Sequence, residues 1–278
     1  GINNYMAERP DYWPVLKDVP SVGSFSEPNY EKIAELNPQL VITCDLGVPE
    51  TETKLEPIGI PVVRLNFYKP KTFVADIRTL GLILEKGKEA QELIDFFQQH
   101  FDTVQERVGK LGAEEKATVY YEGKDYTTVA GSSGWHEAIL LAGGINIFAG
   151  EATGSWGTCA VSPEAILEKN PSAVWKYYSG GYIPPDPSEM RATYDSLIKR
   201  PGWNNLDAVK NNRVIIMNYW MAKGCGKLVT ICYMAKLLYP DKFQDMNPED
   251  VAREWIERFQ GVEYLGGYTY PPEESLWQ

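Results

Sequence analysis

The chain has 278 residues, 44% of them apolar and 23% charged, which is enough for one large domain or two of ordinary size and excludes an intrinsically disordered chain. Its 38 Asp and Glu against 27 Lys and Arg give a formal charge of −11 with no basic cluster set against it, so nucleic acid and anionic lipid are poor partners. No apolar run approaches the roughly 18 residues that span a bilayer.

Gly1 to Met6 has neither a basic nor an apolar stretch, so no signal peptide is read there; the chain is expected to be cytosolic or to have lost a leader. The first helix–strand signal begins at Glu31, and Pro38 stops its short helix ahead of the strand Leu40 to Thr43. Val62 to Leu65 is the next strand. Leu93, Phe97, Phe101, Val104, Val108 and Leu111 then recur at spacings of 4, 4, 3, 4 and 3, predicting a helix from Glu85 to Leu111 of about 40 Å. Such a helix can join two lobes stiffly. Thr118 to Tyr121 reads as a strand and Gly131-Ser-Ser-Gly134 as a turn. That turn could offer backbone N–H groups to an anion, but it lacks the Lys-Ser/Thr ending of a P-loop, which argues against a nucleotide. Ser162 caps and Pro163 opens a second short helix, Pro171 ends it, and Ala173 to Trp175 follows as a strand. Val214 to Met217 is a further strand; a last helix follows Asn247-Pro248 with Val251, Trp255 and Phe259 on one face, and residues 266–278 read as an extended, loop-like tail. Strands alternating with helices predict an α/β fold with mostly parallel sheets.

An offset of 133 residues lays Glu31 on Glu164, Ile33 on Ile166, Glu35 on Glu168, Asn37 on Asn170, Pro38 on Pro171 and Val41 on Val174. A repeat this long means two lobes of similar build, since solenoid periods are roughly 20–50 residues. Cys44, Cys159, Cys225 and Cys232 contain no C-x-x-C pair or zinc spacing. Cys225 and Cys232 on one helix would lie about 10 Å apart, too far for a bridge, so buried or free thiols are expected. Two histidines, His100 and His136, exclude an all-histidine metal site.

The run Val22-Gly23 to Pro28-Asn-Tyr-Glu-Lys-Ile-Ala-Glu-Leu-Asn-Pro-Gln-Leu-Val-Ile42 resembles the N-lobe signature of substrate-binding proteins serving ABC importers of iron–siderophores, haem and vitamin B12. Leu141 to Ile147, Ser162 to Ile166, Pro201 to Lys210 through Ile215, and Leu237 to Phe243 follow in that family's order, so the resemblance runs from about Gly1 to Gly261. It implies two Rossmann-like α/β lobes joined by a single long backbone helix: residues 1–84, a linking helix 85–112, and residues 113–278. It also implies that on the order of 50 family residues ahead of Ile2 are absent here, leaving the first lobe incomplete. By the same resemblance Glu31 and Glu164 dock transiently on arginines of a two-fold permease, on the periplasmic or extracellular face of the membrane. Any lipid anchor of a lipoprotein form would lie outside this chain. The competing reading of both glutamates is helix-dipole stabilisation, worth about 0.3–1 kcal/mol.

Open α/β sheets leave a crevice at the carboxyl ends of their strands. That rule selects Cys44, Asp45, Asn66, Phe67 and Tyr68 in the first lobe, and Ser132, Ser133, Trp135, His136, Tyr177, Tyr178, Asn218, Tyr219 and Trp220 in the second, as ligand contacts facing a cleft, and Trp156, in the loop just before the second repeat copy, is a further candidate. Aromatics supply flat contact area and phenols can meet ferric iron, but both also fill cores. His136 or a tyrosine could hold a metal; no metal site is otherwise expected, nor an intrinsic cofactor. The leading expectation is a binding protein that captures a metal chelate (iron–siderophore, haem or corrinoid) and hands it to an ABC importer permease, with no chemistry performed. Alternatives are an oxyanion (molybdate or tungstate) ligand, a metal-cofactor chaperone or chelatase-like enzyme, and a structural or adhesion module. No Ser/His/Asp order supports the enzyme.

Overall fold

The computed structural model describes residues 1–271, and the chain divides into two compact units, Gly1–Phe67 and Tyr68 onward.

In the first unit Asn3 caps a short helix α1 (Asn4–Ala7), and Asn29 caps α2 (Tyr30–Leu36) by accepting from the Lys32 N–H at 2.9 Å. Strand β1 (Val41–Cys44), helix α3 (Thr51–Leu55) and strand β2 (Val62–Leu65) follow. The strands are parallel, with Val41 opposite Val62 and Cys44 opposite Leu65. Ile33, Leu55 and Ile60 form its small core, with Val22, Tyr30, Val41 and Val62 packed around them.

The second unit opens with α4 (Phe73–Ile83) and α5 (Gly87–Val108). The long helix is 22 residues, about 33 Å, and stops short of the predicted span at both ends. Glu85 takes a left-handed φ of 54°, which breaks the helix before Gly87, and Gly109 ends it. Its buried face is Ile94, Phe96, Phe97, Val104 and Val108, so Ile94 and Phe96 join the predicted stripe. Strands β3 (Thr118–Glu122) and β4 (Thr127–Val129), helix α6 (Gly134–Leu141), β5 (Ile145–Asn146), β6 (Thr158–Ala160), α7 (Pro163–Lys169) and β7 (Ala173–Tyr178) come next. The chain continues through α8 (Pro187–Ile198), α9 (Asp207–Lys210), β8 (Val214–Asn218), α10 (Lys227–Leu238) and α11 (Pro248–Glu254). A π-helical turn, Trp255–Phe259, prolongs α11, and Phe259 lies 4.9 Å from Phe96 between ring centroids. The main sheet runs β5-β3-β7-β8-β9, parallel except for β9 (Thr269–Tyr270), which pairs antiparallel with β8. Part of the tail read as loop-like is therefore an edge strand; residues 272–278 of that tail lie outside the described residues. β8 is buried along its whole length, and so is α10, as elements covered on all sides must be.

The repeat has a concrete local cause. α2 and α7 each span seven residues, each is capped by a side-chain oxygen, and each ends on an asparagine in the left-handed region, Asn37 at φ 43° and Asn170 at φ 40°. Asparagine tolerates that conformation better than other side-chain-bearing residues. Asn170 Oδ1 also accepts from the Asp207 N–H at 2.9 Å. Asn170→Ala is expected to cost about 2 kcal/mol, because it loses both the αL tolerance and the bond. Asn170→Gly should recover the conformational part alone, a difference readable from urea midpoints.

Candidate ligand-binding site

The pleat of the main sheet sorts the residues at its carboxyl edge. Side chains alternate faces along a strand, so Tyr121, Tyr177 and Tyr219 fall on one face while Glu122, Lys176, Tyr178 and Asn218 fall on the other.

On the first face an aromatic box assembles. Trp135, on the first turn of α6, stacks on Tyr121 with centroids 5.7 Å apart and meets Tyr177 edge-on at 4.7 Å. Tyr177 meets Tyr219 at 5.0 Å. Tyr68 joins through Ser133, the cap of α6: the two hydroxyls are 2.7 Å apart, and the Tyr68 hydroxyl donates to the Trp156 carbonyl at 2.9 Å. Trp156 holds φ 66°, a rare conformation for a bulky residue, with its ring edge-on to Tyr68 at 5.1 Å. Gly134 lets the Tyr68 backbone approach, since a Cβ there would sit 2.2 Å from the Tyr68 carbonyl oxygen. Burial pushes the Tyr68, Tyr121 and Tyr177 phenols up, so all are protonated at neutral pH.

Lys227, the first residue of α10, reaches the same box. It is 1% exposed, and its ammonium lies 4.2 Å from the Trp135 ring centroid and 4.5 Å from that of Tyr68. Burial brings it down to about 7. Among the described residues it has no hydrogen-bond or ion-pair partner.

The opposite face is a closed ion network. Buried Glu122 accepts from Lys176 Nζ at 2.9 Å, Arg200 Nη1 at 2.8 Å and the Tyr120 hydroxyl at 2.7 Å. Asp125 pairs with the same two cations at 2.8 and 2.9 Å, and Lys176 holds its carboxyl below the usual range. Tyr178 donates to Glu189 of α8. Asn218 accepts from the Trp220 N–H at 2.9 Å, and its Nδ2 is buried without a partner among the described residues.

The structure thus brings together Tyr68, Ser133, Trp135, Trp156, Tyr177 and Tyr219 of the predicted residues, and puts Tyr178 and Asn218 on the other face. Trp220 stands beside the box, 5.7 Å from Tyr219 and 4.9 Å from Tyr182, with the Lys223 ammonium 4.3 Å over its ring. Ser132 is exposed and meets Thr153 at 3.3 Å, while His136 meets Asn146 at 3.3 Å and is kept below its usual pKa by burial. In the Gly131–Gly134 turn two of the N–H groups offered to an anion are already engaged, Gly131 N–H donating to the Ala149 carbonyl and Ser133 N–H to the Ala130 carbonyl, and the Trp135 N–H that follows donates to the Ser133 hydroxyl. Among the described residues no group of three or more His, Cys, Asp or Glu is placed to hold a metal ion.

Cys44, Asp45, Asn66 and Phe67 belong to the first unit. Arg64 organises that loop, donating to the carbonyls of Cys44 at 3.1 Å and Val48 at 2.7 Å and to Glu52 at 2.7 Å, which brings the Glu52 carboxyl down to about 2. Asp45 is exposed, and Cys44, Asn66 and Phe67 are half-buried.

Tyr121 and Lys227 were not predicted. A signal for the second existed: a lysine opens an otherwise apolar helical run at Gly224-Cys-Gly-Lys227, where the helix dipole disfavours a cation.

A model of the family described as periplasmic binding protein matches residues 2–219. The chain belongs to this family. Its solved neighbours share the TroA-like α/β fold: a periplasmic binding protein FepB from Veillonella parvula superposes with a TM-score of 0.82 at 23% identity, over 97% of this chain and 84% of that one. In sequence, the molybdate-binding protein MolA of Haemophilus influenzae is 22% identical across 90% of this chain and 75% of its own length. A vitamin B12-binding protein of Vibrio campbellii is 29% identical across 61% of each. The family is one of solute-binding proteins, and no helix among the described residues is long and apolar enough to cross a membrane.

Proposed function

We propose that the chain is the extracytoplasmic ligand-capturing component of an ABC importer and that its ligand is a metal chelate. The observation that carries this is the aromatic box at the carboxyl ends of β3, β7 and β8, which offers flat faces and protonated phenols. His136, the one histidine near it, faces an asparagine and not a nucleophile, which favours binding over catalysis. Similarity to MolA along most of the chain supports an oxyanion as the second reading. A thermal-shift panel of ferric siderophores, haemin, cyanocobalamin, molybdate and tungstate tests both: a true ligand at 100 times its Kd stabilises by about 2.7 kcal/mol. Turnover of a metal–tetrapyrrole without any shift would overturn the binding reading.

Delivery is assigned to Glu31 and Glu164. Each lies exposed in the first turn of its repeat helix, and neither has an ion-pair or hydrogen-bond partner among the described residues. Charged rim residues of this kind steer encounter and fix register more than they add affinity. Glu31→Lys with Glu164→Lys is expected to abolish stimulation of the importer's ATPase with ligand Kd unchanged; a matching loss of ligand affinity would sink the docking role.

A further inference from the structure

We infer that Lys227 is the charge-recognition residue of the aromatic site and that the ligand presents an anionic oxygen to it. This deepens the importer reading and rests on it.

The chain elsewhere shows how it treats a buried cation. Lys176 is met by two carboxylates and a carbonyl, and the buried ammonium of Lys236 donates to the Met246 carbonyl at 2.6 Å. Lys227 is buried as deeply and has only ring faces. Two ring faces return less than the desolvation of an ammonium costs. The residue is, moreover, the first of the twelve-residue α10, whose dipole disfavours a cation there. Of the groups that act on it, Cys225 and Glu137 favour the charge and Lys223 opposes it; Glu137 Oε1 meets Lys71 at 3.1 Å while its Oε2 is buried without a hydrogen-bond partner among the described residues, and Cys225 is a thiol pushed up to about 12. Among the described residues no carboxylate reaches hydrogen-bond or ion-pair distance of the ammonium. A negatively charged oxygen between the rings would complete it with a charge-assisted bond.

The chemistry is shared by an oxyanion and by a net-negative chelate such as a ferric tricatecholate, and the arms of the test separate them. Titrate wild type, Lys227→Met and Lys227→Gln with molybdate, a ferric tricatecholate, a neutral ferric trihydroxamate and cyanocobalamin. The anionic ligand that binds wild type should weaken about 10–100-fold in both variants, the range of one bond to a charged group, and its wild-type affinity should fall as pH rises from 6 to 8. Molybdate or tricatecholate as that ligand identifies the source. Unchanged affinity of an anionic ligand in both variants, or tight binding of neutral ligands alone, overturns the inference while leaving the importer reading in place. No binding of any ligand to wild type overturns that reading itself.

Discussion

Lys227→Met is expected to make the ligand-free protein more stable, and most so at low pH. The lysine falls from an ordinary value of 10.5 to about 7 in the folded chain, because burial penalises the charged form. Between those two values the unfolded chain holds a proton that the folded chain lacks, so the contribution of this group to stability rises with pH across that window. Below pH 7 the folded state carries the full penalty, on the order of 5 kcal/mol from the size of the shift. Lost cation–π contacts to Trp135 and Tyr68 offset part of the gain, leaving about 2–3 kcal/mol. Urea unfolding of both proteins at pH 6 and pH 9.5 measures it: the variant should lead at pH 6, and the gap should close toward pH 9.5. A variant weaker than wild type at pH 6 would contradict the assignment of a buried charge without a bonded partner. Stability gained with ligand affinity lost is the trade expected of a strained binding residue.

Glu122→Ala should have the opposite effect. Glu122 is fully buried, and its carboxylate satisfies Lys176, Arg200, the Tyr120 hydroxyl and the Tyr126 N–H at once. Removing one partner of a buried ion cluster leaves the others charged and unpaired, a loss of about 3–5 kcal/mol. Asp125 remains for the two cations but is largely exposed, so it recovers little. Glu122→Gln keeps the shape and part of the bonding and should fall between. Chemical denaturation followed by circular dichroism gives the ordering; a loss under 1 kcal/mol for the alanine variant would show the cluster to be dispensable. Because this network is internally balanced, it has no charge left to offer a ligand, and the contrast with Lys227 on the other face is the sharper for it.

Much of this molecule was legible in its residues. The strands at Val62 to Leu65, Thr118 to Tyr121 and Val214 to Met217, the helix cap at Ser162, the helix start after Asn247-Pro248, and the Glu31–Glu164 repeat all express local rules of periodicity, capping and left-handed asparagine, which act within a few residues. The family likeness followed from the same motifs. Short pairings were harder: β4 with β6, and β9 on β8, involve two or three residues each, too few to leave a pattern.

The site divides along the same line. Sequence placed Trp135, Tyr177 and Tyr219 at strand or turn ends, where an α/β sheet leaves room. It could not separate Tyr177 from its neighbour Tyr178, because only the pleat of β7 against β3 and β8 decides which face each side chain takes. Nor could it tell Lys176 from Lys227: both are lysines within apolar runs, and which one finds carboxylates depends on groups 51 to 54 residues away. Composition and local pattern determined most of the elements, their order and the family; tertiary packing alone decided which lysine was met by carboxylates and which was buried against ring faces, since desolvation is a property of the assembled interior and not of any segment.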